Sequence, residues 1–179
     1  PLSIIHNGIQ PPVNIGHPER KADRLLAIGR LVSIKNYSAL IEAIRGLPGT
    51  LWIAGDGPEK DSLQQQIVQS GQQGQVTLLG HREDVTELLQ HAGWHIISSV
   101  DEGGPYTLAE ALLLECPVLA TPVGMVADYL DPRWISSDST VASLRSFILT
   151  SITVSLEERQ IAFAPAFARA QQELTFDAM

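Results

Sequence analysis

Five short apolar runs, at residues 25–31, 51–54, 76–79, 95–100 and 117–123, alternate along the chain with amphipathic stretches, and this alternation restricts the fold more than any other feature. Each run is short, β-favouring and apolar on successive residues. A strand with one wet face would alternate, so these read as strands buried on both sides. The stretches between them, at residues 37–45, 59–69, 85–91 and 106–114, carry helical spacing. Strand and helix in turn predict an α/β fold with a doubly wound parallel sheet and helices on both faces. Residues 139–151 and 155–173 are both helical in pattern with no strand between them, so the chain is expected to finish as two outer helices. A weaker strand at Trp134-Ile135 would bring the sheet to about six.

At 179 residues, 44% of them hydrophobic, the chain suits one domain with a core that needs neither disulfides nor metal. No segment approaches the ~20 consecutive apolar residues of a membrane span. The sequence opens on Pro1 rather than Met and closes on Met179 in mid-pattern, as expected of a piece of a longer protein whose targeting signals lie elsewhere. Residues 10–23 hold three prolines and little apolar content, so residues 1–24 read as a hinge and lead-in, and 25–179 as the folded domain. A single cysteine, Cys116, excludes an internal disulfide and a thiolate zinc cluster and reads as a packed core thiol. The net charge of −8, with 12 Lys and Arg spread along the chain, argues against a nucleic-acid partner. The Gln-rich piece at 64–75 reads as a solvated helix face and its turn.

In an open parallel sheet, ligands bind beyond the carboxyl ends of the strands. The unusual residues of this chain fall there: Gly29, Arg30 and Lys35 after the first run, Gly55-Asp56-Gly57-Pro58 after the second, Gly80-His81-Arg82 after the third, Asp101 to Pro105 after the fourth, and Thr121 to Gly124 after the fifth. Arg30 and Lys35 suit a diphosphate, one as a planar fork and the other as a mobile point charge. Asn36 reads as an N-cap and Pro58 as a first helical residue. Glu102 and Glu110 flank a Gly103-Gly104-Pro105 turn that leads into a helix, whose unpaired N–H groups can hold a phosphate. A fixed carboxylate accepts hydrogen bonds well from vicinal hydroxyls, which suits Glu110, and Glu102 could serve a second sugar-like group. The plainer reading stays open here: Glu110 as a helix-surface residue and Glu102 as a charge favouring the helix dipole. Gly55-Asp56-Gly57 is half a dinucleotide fingerprint, with Lys60 where the third Gly belongs. The five histidines show no metal spacing, and only His81 falls on the ligand edge. No Gly-x-Ser-x-Gly elbow is present.

Taken together, Ile5-His6-Asn7-Gly8-Ile9, the stretch from Gly29 to Asn36, Gly55-Asp56-Gly57-Pro58, Val76 to Gly80, Glu102 to Glu110 and Pro117 to Thr121 resemble the C-terminal, donor-binding half of a GT-B fold retaining glycosyltransferase of family 4 type, glycosyl transferases group 1. The resemblance implies a Rossmann-like domain that binds a nucleoside-diphosphate sugar and passes its hexosyl group to a glycan or lipid-linked acceptor. It implies Glu102, Arg30 and Lys35 at the reacting centre: Arg30 and Lys35 on the diphosphate, Glu102 on the transferred sugar. Glu110 would bind the ribose hydroxyls. The segment Gly103, Gly104, Pro105, Tyr106 and Thr107 would approach sugar and phosphates, and His81 and Arg82 would lie against the nucleobase. No metal or other cofactor is expected. The acceptor would bind mainly to an N-terminal domain absent from this chain, so the fragment would hold donor without turning it over, and catalysis would need closure about a hinge near residues 6–16. A cytoplasmic place, peripheral to the inner face of the membrane or free of it, goes with this resemblance. Relatives commonly carry Cys-Gly where Leu114-Glu115 stands here, so a different helix end is expected. Pro105, where many relatives have Gly, matches a variant of the same motif. A sugar-nucleotide epimerase of the same fold and a degenerate, non-catalytic domain are the alternatives.

Overall fold

The computed structural model describes residues 19–104 and 106–174. The Ile5–Ile9 match, the hinge near residues 6–16 and Pro105 lie outside them. Strands β1 (Lys21–Ile28), β2 (Thr50–Ala54), β3 (Val76–Gly80), β4 (Ala92–Ile97) and β5 (Val118–Ala120) form one sheet in the order β3-β2-β1-β4-β5. Every pairing is parallel. Helices α1 (Tyr37–Ile44), α2 (Lys60–Gln69), α3 (Val85–His91) and α4 (Tyr106–Leu113) make the crossovers, and α5 (Val126–Tyr129), α6 (Val141–Ser151) and α7 (Leu156–Glu173) follow. α1 packs against α2 and α6, and α4 against α7, which gives the two helical layers that right-handed crossovers demand when strand order reverses.

The buried strands fill as their sequence requires, with Leu25, Leu26, Leu51, Ile53, Trp94 and Val118 among the core residues. β1 begins four residues before the apolar run, inside the expected lead-in, because its first residues pair with neighbours while staying exposed. The sixth strand reduces to one bridge between Ile135 and Ala120, since a 3-10 turn at Pro132–Trp134 occupies the residues before it. Pro58 lies in a turn and α2 starts at Lys60, so its expected place in the first helical turn is not taken. The glutamines are not merely solvated. Buried Gln72 donates to the Ile41 carbonyl, and Gln75 to those of Ile44 and Leu47, closing the end of α1. Cys116 is buried, and burial pushes its thiol up to about 11. His95 is buried on β4 with Nδ1 against the Leu26 carbonyl, and burial holds its ring down to about 4. Among the described residues no helix is long and apolar enough to cross a membrane.

Two arginines close the amino-terminal edge. Arg20 donates to the carbonyls of Leu89, Ala92 and Leu114, where α3 and α4 end and a cation suits the helix dipoles. Arg159, 1% exposed, donates to Val154, Ile152, Ala22 and Gly93 carbonyls and lies 4.4 Å from the Trp94 ring centroid. It thus ties α7 to β1 and β4 beneath the aromatic cluster of Trp94, Trp134 and Phe163.

Glu115 overturns the expected change of helix end. It takes φ 54, its N–H bonds the Leu112 carbonyl, and the Cys116 N–H bonds that of Ala111. This is the left-handed cap that Gly usually supplies, retained because both terminal carbonyls gain donors. The side chain is strained there. Glu115→Gly should therefore raise unfolding free energy by about 0.5–1 kcal/mol, read as a higher urea midpoint at unchanged slope. Arg159→Met should cost about 3 kcal/mol in the same assay, because it strips donors from buried carbonyls.

Candidate functional site

Strand order reverses between β1 and β4, and the loops leaving their carboxyl ends part there. The two loops are stitched together: Val100 N–H donates to the Ile34 carbonyl and Ser98 Oγ to the Lys35 carbonyl, each at 2.8 Å. Across this crevice Lys35 Nζ meets Glu102 Oε1 at 2.8 Å, with side chains 21% and 12% exposed. Ser99 Oγ donates to the same Glu102 oxygen. Thus Lys35 and Glu102, 67 residues apart, do converge, and they pair with each other.

Arg30 projects from the same β1 loop, exposed, and its guanidinium makes no hydrogen bond or ion pair with any described residue. It borders a cleft of about 450 Å³ lined by Gly29, Arg30, Gly55, Asp56, His81 and Arg82 with Ile28, Ala54 and Val85. The cleft joins the carboxyl ends of β1, β2 and β3, and His81 and Arg82 line it at the β3 end. Its charges are unevenly used. Arg82 is held by Asp84, and Asp56 by Lys60 at 3.0 Å and the Gly57 N–H at 2.7 Å. Those contacts set both carboxyls below their usual range.

Gly29 and Gly55 let the loops touch: a Cβ on Gly55 would fall 1.9 Å from the Gly29 carbonyl oxygen. A Cβ on Gly29 would lie 2.9 Å from the Tyr37 hydroxyl and 3.6 Å from Lys35 Nζ, so both groups crowd that corner. Tyr37 is 2% exposed, and burial followed by the Glu102 charge raises its phenol above the usual range. Asn36 does not cap α1 with its side chain. It holds the N-cap position at φ 58, and its amide instead donates across to the Ser139 carbonyl at 2.8 Å.

Gly103 and Gly104 are exposed in the loop before α4, while Tyr106 and Thr107 open the helix. A Cβ on Gly124 would lie 2.6 Å from the Glu102 carbonyl oxygen, so the loop after β5 supports this segment from below. Glu110 stands on α4, half-buried, with no side-chain partner among the described residues, and burial raises its carboxyl. No hydrogen bond or ion pair links it to Lys35 or Glu102; it stands on α4, the helix that the Glu102 loop enters. An unpaired, partly desolvated carboxylate is a strong acceptor for hydroxyl donors. Among the described residues no three His, Cys, Asp or Glu gather closely enough to hold a metal.

Sequence reasoning passed over Ser99 and Tyr37. Ser99 had a local signal, a hydroxyl at a strand end three residues before a loop carboxylate; Tyr37 had none, since its place against Gly29 is tertiary.

Residues 14–133 match the family described as Glycosyl transferases group 1. The lipopolysaccharide core biosynthesis glycosyltransferase LpsE of Rhizobium meliloti is 33% identical over 98 residues, covering 54% of this chain and 29% of that protein. The putative teichuronic acid biosynthesis glycosyltransferase TuaC of Bacillus subtilis is 38% identical over 112 residues, covering 59% of this chain and 26% of that protein. Thus the chain spans roughly a quarter to a third of such relatives' length. Among solved structures, Anabaena HepE in complex with UDP and glucose aligns with a TM-score of 0.78 at 24% identity, covering 86% of this chain and 44% of that one. At that identity the likeness shows the fold, which is that of GT-B enzymes.

The unpaired Glu110 has a measurable consequence. A carboxyl whose folded pKa is raised contributes stability below its unfolded pKa and loses it as pH rises through the folded value. Glu110→Gln should therefore stabilise the chain slightly at pH 7 and leave it unchanged at pH 3.5. Thermal melts at the two pH values check this; an equal gain at both would contradict it.

Proposed function

The chain belongs to the glycosyl transferases group 1 family, and from that premise we propose that it is the nucleotide-sugar-binding domain of a retaining glycosyltransferase, passing a hexosyl group from a nucleoside-diphosphate sugar to a glycan or lipid-linked acceptor. The observation that carries this reading is the rim at the β1/β4 reversal, where an unpaired Arg30 and a Lys35–Glu102 pair adjoin a cleft of about 450 Å³. Relatives named for lipopolysaccharide core and teichuronic acid biosynthesis support a glycan acceptor, and HepE with UDP and glucose supports a UDP-sugar donor.

In this reading the nucleobase enters the cleft beside His81 and Arg82. The diphosphate lies between Arg30 and Lys35 and before the first turn of α4, whose N–H groups add positive potential. Glu110 accepts from the ribose diol. Glu102, relieved of Lys35, accepts from sugar hydroxyls. In transfer, the bond from the anomeric carbon to phosphate oxygen breaks with its electron pair going to the diphosphate, while an acceptor hydroxyl oxygen forms the new bond to that carbon and passes its proton to the departing phosphate oxygen. Negative charge grows on the leaving group, and the contacts from Arg30 and Lys35 strengthen with it. These side chains and the helix terminus do that work without a metal ion. The remaining length of the whole enzyme supplies the acceptor site, and domain closure completes the reaction.

Calorimetric titration of this chain with UDP-, GDP- and ADP-glucose tests the reading. One donor should bind at submillimolar to millimolar concentration, Arg30→Ala and Lys35→Ala should each weaken it about tenfold, and added salt should weaken it further. No heat from any of the three at millimolar concentration would overturn the assignment.

A further inference from the structure

We infer that Ser99 is a positioning residue for sugar recognition: it pins one oxygen of Glu102, so the other stays presented to the transferred sugar when Lys35 turns to the diphosphate. This rests on the nucleotide-sugar reading above and deepens it.

Ser99 follows the end of β4 and is 2% exposed. Its carbonyl accepts from Thr121 Oγ1 at 2.7 Å, and Thr121 in turn bonds the Ile97 carbonyl, so two strand ends fix its backbone. Its hydroxyl donates to Glu102 Oε1, the oxygen that also takes Lys35 Nζ. Glu102 Oε2 accepts from no described residue. The two donors thus load one side of the carboxylate and leave the other free.

The donors differ in permanence. Lys35 is a long, mobile cation standing beside the corner where Gly29 makes room, and a diphosphate would compete for it. A glutamate left without any donor has flexible torsions to lose before it can hold a sugar, an entropic cost that a fixed donor removes in advance. Ser99 is short, buried and backbone-anchored, so its hydrogen bond persists through the exchange. A hydroxyl bonded to a charged acceptor is also among the stronger hydrogen bonds.

The test compares UDP with UDP-glucose on this chain by calorimetry. Ser99→Ala should weaken UDP-glucose about tenfold while UDP stays within about twofold, since only the sugar depends on Glu102. In a Glu102→Ala background, Ser99→Ala should change UDP-glucose affinity no further, and in the otherwise wild-type chain Ser99→Thr, which keeps the hydroxyl, should hold it near the wild-type value. Equal weakening of both ligands, no weakening of either, or effects of Ser99→Ala and Glu102→Ala that add would each overturn the inference and leave the nucleotide-sugar reading standing. A wild-type chain that binds neither ligand would overturn the UDP-sugar reading and this inference with it.

Discussion

The reversal of strand order between β1 and β4 is the constraint on which the site depends. Parallel strands buried on both faces must be joined by crossovers of one hand, so a change of direction sends α1 to one face and α4 to the other. The loops that feed those helices separate and leave a crevice between them. In this chain the crevice does not gape, because Val100 and Ser98 bond the carbonyls of Ile34 and Lys35 across it. Buried or half-buried hydrogen bonds therefore decide where Lys35 and Glu102 sit, although both belong to loops.

Close backbone approach does the rest. Gly55 presses on the Gly29 carbonyl so tightly that a methyl group would displace one loop, and Gly57 does the same against Leu31. The loops after β1 and β2 stack, and the cleft opens beside them. Local charge then matters more than the chain's −8. Asp56 and Asp84, which would repel an anion, are matched by Lys60 and Arg82, while Arg30 keeps no partner among the described residues. An acidic protein thereby leaves a cation available at this corner.

How legible this was in the sequence varies with how local each feature is. Runs of apolar residues located all five strands, with ends misplaced by a few residues where pairing outlasts hydrophobicity, as at Lys21. Arg30, Lys35 and Glu102 could be placed on one rim because parallel topology carries loop position with it. Their pairing could not be read, since nothing near Lys35 in the chain announces a carboxylate 67 residues on. The failures share a cause. Pro58 and the glutamines at 72 and 75 are misplaced by local propensity, while Asn36 does hold the N-cap position of α1; for the polar three the structure shows a distant carbonyl as the side-chain partner. Glu115 shows the reverse: a backbone geometry that two hydrogen bonds sustain survives the loss of its preferred residue.

The ion pair at the rim also explains why such a site can be both formed in advance and ready for a ligand. Left alone, Glu102 and Lys35 would each face a desolvated corner with an uncompensated charge. Together they satisfy one another, but a partly exposed pair of this kind is worth only about 1 kcal/mol. A phosphate oxygen offers Lys35 an equal or better acceptor, and Arg30 adds a second contact at no cost in broken bonds. Under the proposed nucleotide-sugar reading, that exchange would leave Glu102 with Ser99 as its remaining donor and with the sugar hydroxyls to compensate its charge. The pair keeps the site assembled without locking it, because its weakness is matched to the contact that would replace it.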